Sequence, residues 1–337
     1  MDEHNDVPTD RLFQELLNLA KETFSLWNQR WIGYSWRSYY YTHTVRVRNL
    51  ALEIGRRENA DLKVVECASL LHDITKKYDG KILSDDSGAR IIDPNGFWRN
   101  ELVMPDGDNI VTKIYREFNL FHTTHNESGA IVARRLLILY GLPESFIEKV
   151  CSVIRCHVKP RNIDRKEIVA RYDLVEKRTL FDADTIDANL GLVAFFRNIQ
   201  IYARRCSEMG EEPNLQDYLQ TITKWALSKA SFLSEMMTQA GSEIATNRYR
   251  SLSKYLKILK DEQDSGHDET LSNGLEGAIL LFMNANDDPD IDKLINQIRS
   301  DWLPAQKLAE HSPNTTSLSE NVEIFCRDLE EEICGKA

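Results

Sequence analysis

Apolar residues recur at helical spacing over residues 11–30 (RLFQELLNLAKETFSLWNQR), and again over Thr42–Arg57 and Asp61–Lys77. This predicts stacked amphipathic helices in the first part of the chain. The pattern fails between Tyr78 and about Asn109, where DDSG, DPNG and PDGD flank short segments such as GFWRNELVM. These are turn sequences, so a hairpin-bearing insertion is predicted over about 78–124. A helix resumes near Glu127 and runs to Leu139, Gly141 and Pro143 stop it, and another follows over Glu144–His157. The polar stretch Val158–Asp173 reads as a loop. Further helices are predicted over Ala188–Cys206, Gln216–Thr238 and Ser242–Lys260. EQDSGHDETLSNG reads as a linker over 262–274, and two weaker helices, 275–300 and 317–334, flank the HSPNTTS stretch. No internal repeat is visible. The expected fold class is all-α, with a core over 1–263 that carries the hairpin insertion and a helical C-terminal extension over 264–337.

Composition narrows this picture. With 42% hydrophobic and 28% charged residues, the chain has the balance of an ordinary globular protein. No apolar run approaches the roughly 18 residues that span a bilayer. The acidic start MDEHNDVPTD lacks the basic and apolar regions of a secretory signal, so a cytoplasmic protein is expected. Six cysteines without a CxxC pair, all within predicted helices, fit that compartment as small buried apolar residues. A formal net charge of -11 disfavours a surface that coats nucleic acid. The sequence leaves a homo-oligomer open.

Of eight histidines, His43, His72, His125 and His157 fall in the first 160 residues, within or beside apolar helical patterns. His72 is followed by Asp73 at the end of the apolar run CASLLHDITKK, which delivers an imidazole and a carboxylate side by side. A buried carboxylate needs compensation, and a divalent cation supplies it. His43, in THTVRVRNLALEI, offers a third ligand, and FDADTIDANLG offers Asp182, Asp184 and Asp187. Mixed imidazole and carboxylate ligation suits Mn, Fe, Co, Ni or Zn better than Ca.

This pattern of a histidine, a His-Asp pair and a later aspartate resembles the HD-domain superfamily of metal-dependent phosphohydrolases. The resemblance covers about residues 35–200. It implies an HD-type helical bundle and a metal site of His43, His72, Asp73 and Asp184, with Asp182 as a neighbour, because the family's aspartate lies in an A-D-x-[LI] segment. HNESGAIVARRLLILYG and IEKVCSVIRCH resemble the segments that carry further histidines in many members. His125 and His157 are therefore candidate ligands of a second metal, or donors to a substrate phosphate, with His122 a lesser alternative. TQAGSEIATNRYRSLSKYLKIL and Glu176 resemble one bacterial branch that includes small nucleotide pyrophosphohydrolases, whereas TIDANLGLVAFFRN departs from that branch.

The resemblance implies hydrolysis of a phosphomonoester or phosphoanhydride in a small phosphorylated molecule, with nucleotides the leading class. One or two divalent ions (Mn, Fe, Co, Ni, Zn or Mg) would activate water. Asp73 would accept its proton, and Lys76, Lys77 and Arg46, one turn beyond Asp73 and His43, would bind phosphate. Arg197 is a further candidate, and Tyr39, Tyr40 and Tyr41 read as packing at a helix start. No Walker loop, HExxH, GxSxG or zinc-finger spacing occurs. Two other readings stand beside the enzyme: a metal-binding sensor or interaction module with a non-catalytic site, and a di-iron oxygenase.

Overall fold

The computed structural model of the chain describes residues 9–33, 35–87, 89–161, 163–264, 274–285, 288–309 and 318–336. The chain groups into two compact units, residues 1–184 with 237–241 and residues 185–236 with 242–337. This division does not coincide with the 263/264 boundary suggested by the linker-like composition of 262–274. Most of that segment, and HSPNTTS, lies outside the described residues.

The first unit opens with α1 (Thr9–Ser25), a two-residue strand pair β1 (Trp31–Ile32) and β2 (Ser35–Trp36), α2 (Tyr39–Arg57) and α3 (Leu62–Leu71). α3 is apolar on all but the one face that carries Lys63 and Glu66, and Val64, Val65, Cys67, Ala68, Leu70 and Leu71 are all buried. A helix of that composition belongs inside, and α3 accordingly packs against α1, α2 and α6. Asp61 starts it by accepting from the backbone N–H groups of Lys63 and Val64 at 3.1 and 3.3 Å.

The helix predicted over Asp61–Lys77 stops earlier than its pattern suggests. After Leu71 the chain tightens into i→i−3 bonds, Ile74 to Leu71 (3.2 Å), Lys76 to Asp73 (2.8 Å) and Tyr78 to Thr75 (3.1 Å), ending in a 3₁₀ turn over Lys76–Asp79. His72 is the C-cap of α3 and Asp73 lies in the turn, so the dyad sits where the helix unwinds.

The insertion forms as predicted, with β3 (Lys81–Ile82) and β4 (Asn100–Glu101) paired antiparallel and bridges at Ser84↔Arg90 and Ile92↔Trp98. Its DPNG turn is closed by Asp93 Oδ1, which accepts from Asn95 and Phe97 N–H at 2.9 and 2.8 Å. The pattern did not disclose α4 (Ile110–Glu117), capped by Asn109, at the end of this stretch. α5 (His125–Leu139) and α6 (Glu144–Cys156) pack on each other. The expected loop 158–173 contains α7 (Arg165–Arg171), whose Asp164–Glu167 capping box was legible in the sequence as D-x-x-E. The unit closes with the first part of α8 (Val175–Asn189).

The second unit holds the end of α8, α9 (Leu192–Met209), α10 (Leu215–Lys229), α11 (Gln239–Asp264) beyond its first turn, α12 (Leu275–Met283), α13 (Ile291–Gln297), α14 (Leu303–Ala309) and α15 (Leu318–Ile333). Its core centres on Phe282, in edge contact with Phe196 and tilted against Phe325. Buried Glu332 of α15 caps α9, accepting from Leu192 and Val193 N–H at 2.7 and 3.1 Å. Five cysteines are buried in helices as expected, whereas Cys334 is exposed beyond the end of α15.

Glu262 of α11 caps α12 through Leu275 and Glu276 N–H (3.1 and 3.2 Å), and burial pushes its carboxyl up to about 7. A carboxyl raised above its unfolded value adds stability below that value, near 4.5, and loses it as pH rises through 7. Glu262→Gln is therefore expected to gain about 3 kcal/mol on the parent between pH 4 and pH 8, by chemical denaturation of the full chain. A difference independent of pH would contradict the burial account. Among the described residues no helix is long and apolar enough to cross a membrane.

Candidate metal centre

Five elements of the first unit deliver the six sequence-predicted candidate ligands to one buried place. His43 comes from α2, His72 and Asp73 from the end of α3, His125 from the first residue of α5, His157 from the C-cap of α6, and Asp184 from α8. Asp73 stands at the centre. Its Oδ2 lies 3.7 Å from His43 Nε2 and 3.7 Å from His72 Nε2, while its Oδ1 lies 3.6 Å from His125 Nε2 and 3.4 Å from His157 Nε2. Asp184 Oδ1 closes the first side, 3.1 Å from His43 Nε2 and 3.9 Å from His72 Nε2. Two three-residue groups result, His43–His72–Asp73 and Asp73–His125–His157, which share one carboxylate.

Helix ends aim two of these rings. His72 Nδ1 donates to Ser69 O and His157 Nδ1 to Ile154 O, each at 2.7 Å. Both histidines thus bond a carbonyl in the last turn of α3 or α6, and Ile154 O accepts from the His157 backbone N–H as well, at 3.3 Å. A carbonyl only accepts, so the proton is on Nδ1 and the lone pair on Nε2 faces the centre. There His72 Nε2 and His157 Nε2 are buried with no hydrogen-bond partner. Buried polar atoms are rarely left so, because each forfeits about 1–3 kcal/mol.

The turn that carries Asp73 is pinned to α5. Thr75 Oγ1 bonds His125 O at 3.1 Å and Ser128 Oγ at 2.8 Å. Gly129 permits the approach, because a Cβ there would stand 3.2 Å from His72 O. Glu176 ties the frame together, accepting from Asp61 N–H and Lys149 Nζ, each at 2.9 Å, and so joining the start of α3 to α6 and α8.

The electrostatics suit a cation. Burial drives His72 down to about 4, so its ring is neutral near pH 7. Burial alone would raise Asp73 and Asp184, but the surrounding imidazoles, and Lys76 for Asp73, hold both carboxyls below the usual range. Two ligands about 2.1 Å from one ion stand at most about 4.2 Å apart. The separations of 3.1–3.9 Å across both groups fall within that limit. The orphaned ring nitrogens, the ionised carboxylates and the spacing together fit a divalent ion of the first transition row.

The remaining candidates divide. Lys76 Nζ reaches His125, 3.1 Å from Nε2, at the edge of the centre. Lys77 does not: it is fully buried and donates to Phe24 O (2.6 Å) and Arg37 O (3.2 Å). A 3₁₀ turn has about three residues per turn, so Lys76 stacks below Asp73 while Lys77 turns into the core. Arg46 is buried with its guanidinium over the Tyr39 ring, which stacks in turn on His43 at 5.5 Å. The tyrosines pack as expected, with Tyr40 donating to Ile32 O at 2.8 Å. Asp182 faces away from the centre and caps the start of α11, accepting from Met237 N–H (2.9 Å) and from Thr238 N–H and Oγ1 (2.8 and 2.6 Å). His122 is exposed beside the hairpin, and Arg197 belongs to the second unit.

One residue was missed. Asp79 Oδ2 accepts from His125 Nδ1 at 2.6 Å and turns that ring's Nε2 toward Asp73. Burial opposes its charge, but His125 and Lys76 hold its carboxyl below the ordinary value. Such partners fix the tautomer and orientation of a ligating histidine. Asp79→Ala is expected to weaken metal binding by about 10- to 100-fold in a chelator competition. Unchanged affinity would deny Asp79 that role.

The HD domain family model matches residues 40–189, a span that holds all six candidate ligands. This chain carries an HD domain. In that HD domain Asp73 is the residue common to the two candidate ligand groups. Among solved structures, the chain is similar to a predicted HD superfamily hydrolase from an uncultured Thermotogales bacterium, with 22% identity over 74% of this chain and 92% of that one and a TM-score of 0.42. It is also similar to Bacillus subtilis YpgQ, with 18% identity over 75% of this chain and 95% of that one and a TM-score of 0.40. No curated protein matches the sequence.

Proposed function

We propose that the HD domain is a metal-dependent phosphohydrolase that cleaves a phosphomonoester or phosphoanhydride bond in a small phosphorylated molecule, with nucleotides the leading class. The observation that carries this reading is the pair of buried, unpartnered imidazole nitrogens, His72 Nε2 and His157 Nε2, aimed at Asp73 from opposite groups.

His43, His72, Asp73 and Asp184 would hold one divalent ion, and Asp73, His125 and His157 a second. A divalent ion bound there supplies Lewis acidity toward a phosphoryl oxygen and a water that loses its proton near neutral pH. Asp73, kept ionised by its neighbours, is the base for that proton at Oδ1 or Oδ2. Lys76 donates to the His125 lone pair that a ligand role would claim. Ligation by His125 therefore frees the ammonium for a phosphate oxygen. The shared Asp73 also favours a second reading, a di-iron oxygenase.

Phosphate release from nucleoside mono-, di- and triphosphates, with Mn, Co, Ni, Mg or Fe, tests the proposal. Turnover with at least one metal is expected. Stoichiometric metal binding without turnover of any phosphate ester would overturn it, and oxygen consumption by an iron-loaded protein would favour the oxygenase.

A further inference from the structure

The hairpin insertion encloses a cleft of 440 Å³ against the loop between α4 and α5, within the first unit. That is the size of a site for a small organic molecule, typically about 300–1,000 Å³. Asp79 stands in its wall, and the same Asp79 holds His125 of the metal centre. The cleft is thus next to the centre and shares a residue with it.

Its chemistry is uneven. Asp79, Asp93 and Glu101 line it against one arginine, Arg99, and His122. Glu101 is also paired with Lys81 across the strands at 3.2 Å. The three carboxylates only accept hydrogen bonds, so the acceptors of this lining favour a ligand that presents N–H donors. Half-buried Phe121, in edge contact with the Tyr115 ring at 5.9 Å, supplies an apolar surface.

The hairpin wall is held in place. Trp98 has the Arg90 guanidinium 3.8 Å and the Arg161 guanidinium 4.1 Å from its ring centroid, and Arg161 N–H bonds Gly96 O at 3.0 Å. These contacts fasten the hairpin to the loop after α6. A wall fixed before binding loses less on association.

We infer that this cleft receives the non-phosphate half of the substrate, and that it selects an uncharged ring bearing an amino group over one bearing an oxo group. The inference rests on the phosphohydrolase reading for the word substrate. The cleft's ligand preference can be measured without it. In this arrangement the phosphate stays over the metal centre beside Lys76, and the ring lies on Phe121 with its amine toward the carboxylates.

The test is calorimetric titration of the full chain with four nucleosides that carry no phosphate. Adenosine and cytidine present an exocyclic amine, whereas inosine and uridine present an oxo group at the same place. The amino pair is expected to bind at least fivefold more tightly than the oxo pair. Phe121→Ala should weaken both pairs about tenfold, and Glu101→Gln, an exposed change that leaves the fold alone, should narrow the amino-to-oxo ratio. Absence of nucleoside binding, equal affinity for the two pairs, or a ratio untouched by Glu101→Gln would each overturn the inference. Nucleoside binding with the expected preference but no phosphate release from any nucleotide would keep the cleft assignment and remove the phosphohydrolase reading.

Discussion

Replacing Asp73 with alanine is expected to strip the protein of tightly bound divalent metal and to lower hydrolysis by about 10⁴-fold or more, the scale seen when one member of an interdependent catalytic set is lost. Among the described residues no other side chain belongs to both ligand groups, with Oδ2 toward His43 and His72 and Oδ1 toward His125 and His157. Its removal leaves the Nε2 atoms of His125 and His157 without a facing carboxylate and His43 and His72 with Asp184 alone, and it removes the proposed base. Metal content by elemental analysis and phosphate release read the two effects separately. A variant that kept both metal and turnover would refute the assignment of the site.

Asp182 and Asp184 are expected to fail in opposite ways when each is changed to alanine. Asp184→Ala should lose metal affinity and keep its melting behaviour. Asp182→Ala should keep the metal and lose about 2 kcal/mol of stability, because Met237 and Thr238 lose the acceptor for their N–H groups and the Thr238 hydroxyl loses its partner. Burial raises Asp182 to about 6, consistent with a carboxyl that serves packing inside the fold. Metal titration and denaturation of the two variants decide the matter. Loss of metal from Asp182→Ala with intact folding would reverse the assignment.

That pair also shows what the sequence could and could not convey. Residues two apart on a helix point about 200° apart, so 182 and 184 cannot both face one ion. Periodicity alone does not say which face looks inward, and only resemblance favoured Asp184. His72 and His157 were legible because each ends an apolar helical run, and the same local bond to the i−3 carbonyl then aims each ring. Asp79 and the difference between Lys76 and Lys77 were hidden by one misreading. The segment after Leu71 carries the apolar pattern of a continuing helix but folds with i→i−3 bonds. At three-residue spacing Asp73, Lys76 and Asp79 form a single charged row, whereas at α-helical spacing they scatter. The helices of the first unit were largely readable from apolar periodicity. The short α7 leaves no apolar period in its polar stretch because none of its seven residues is buried, and its capping box is its one local signal.

The account depends on the buried cluster being a metal site, and elemental analysis of the purified full chain after incubation with Mn, Fe, Co, Ni or Zn tests this most directly. The expected result is one to two equivalents of divalent ion per chain that survive desalting and fall to background in His72→Ala. A folded parent chain that retains no ion from any of these metals would contradict it.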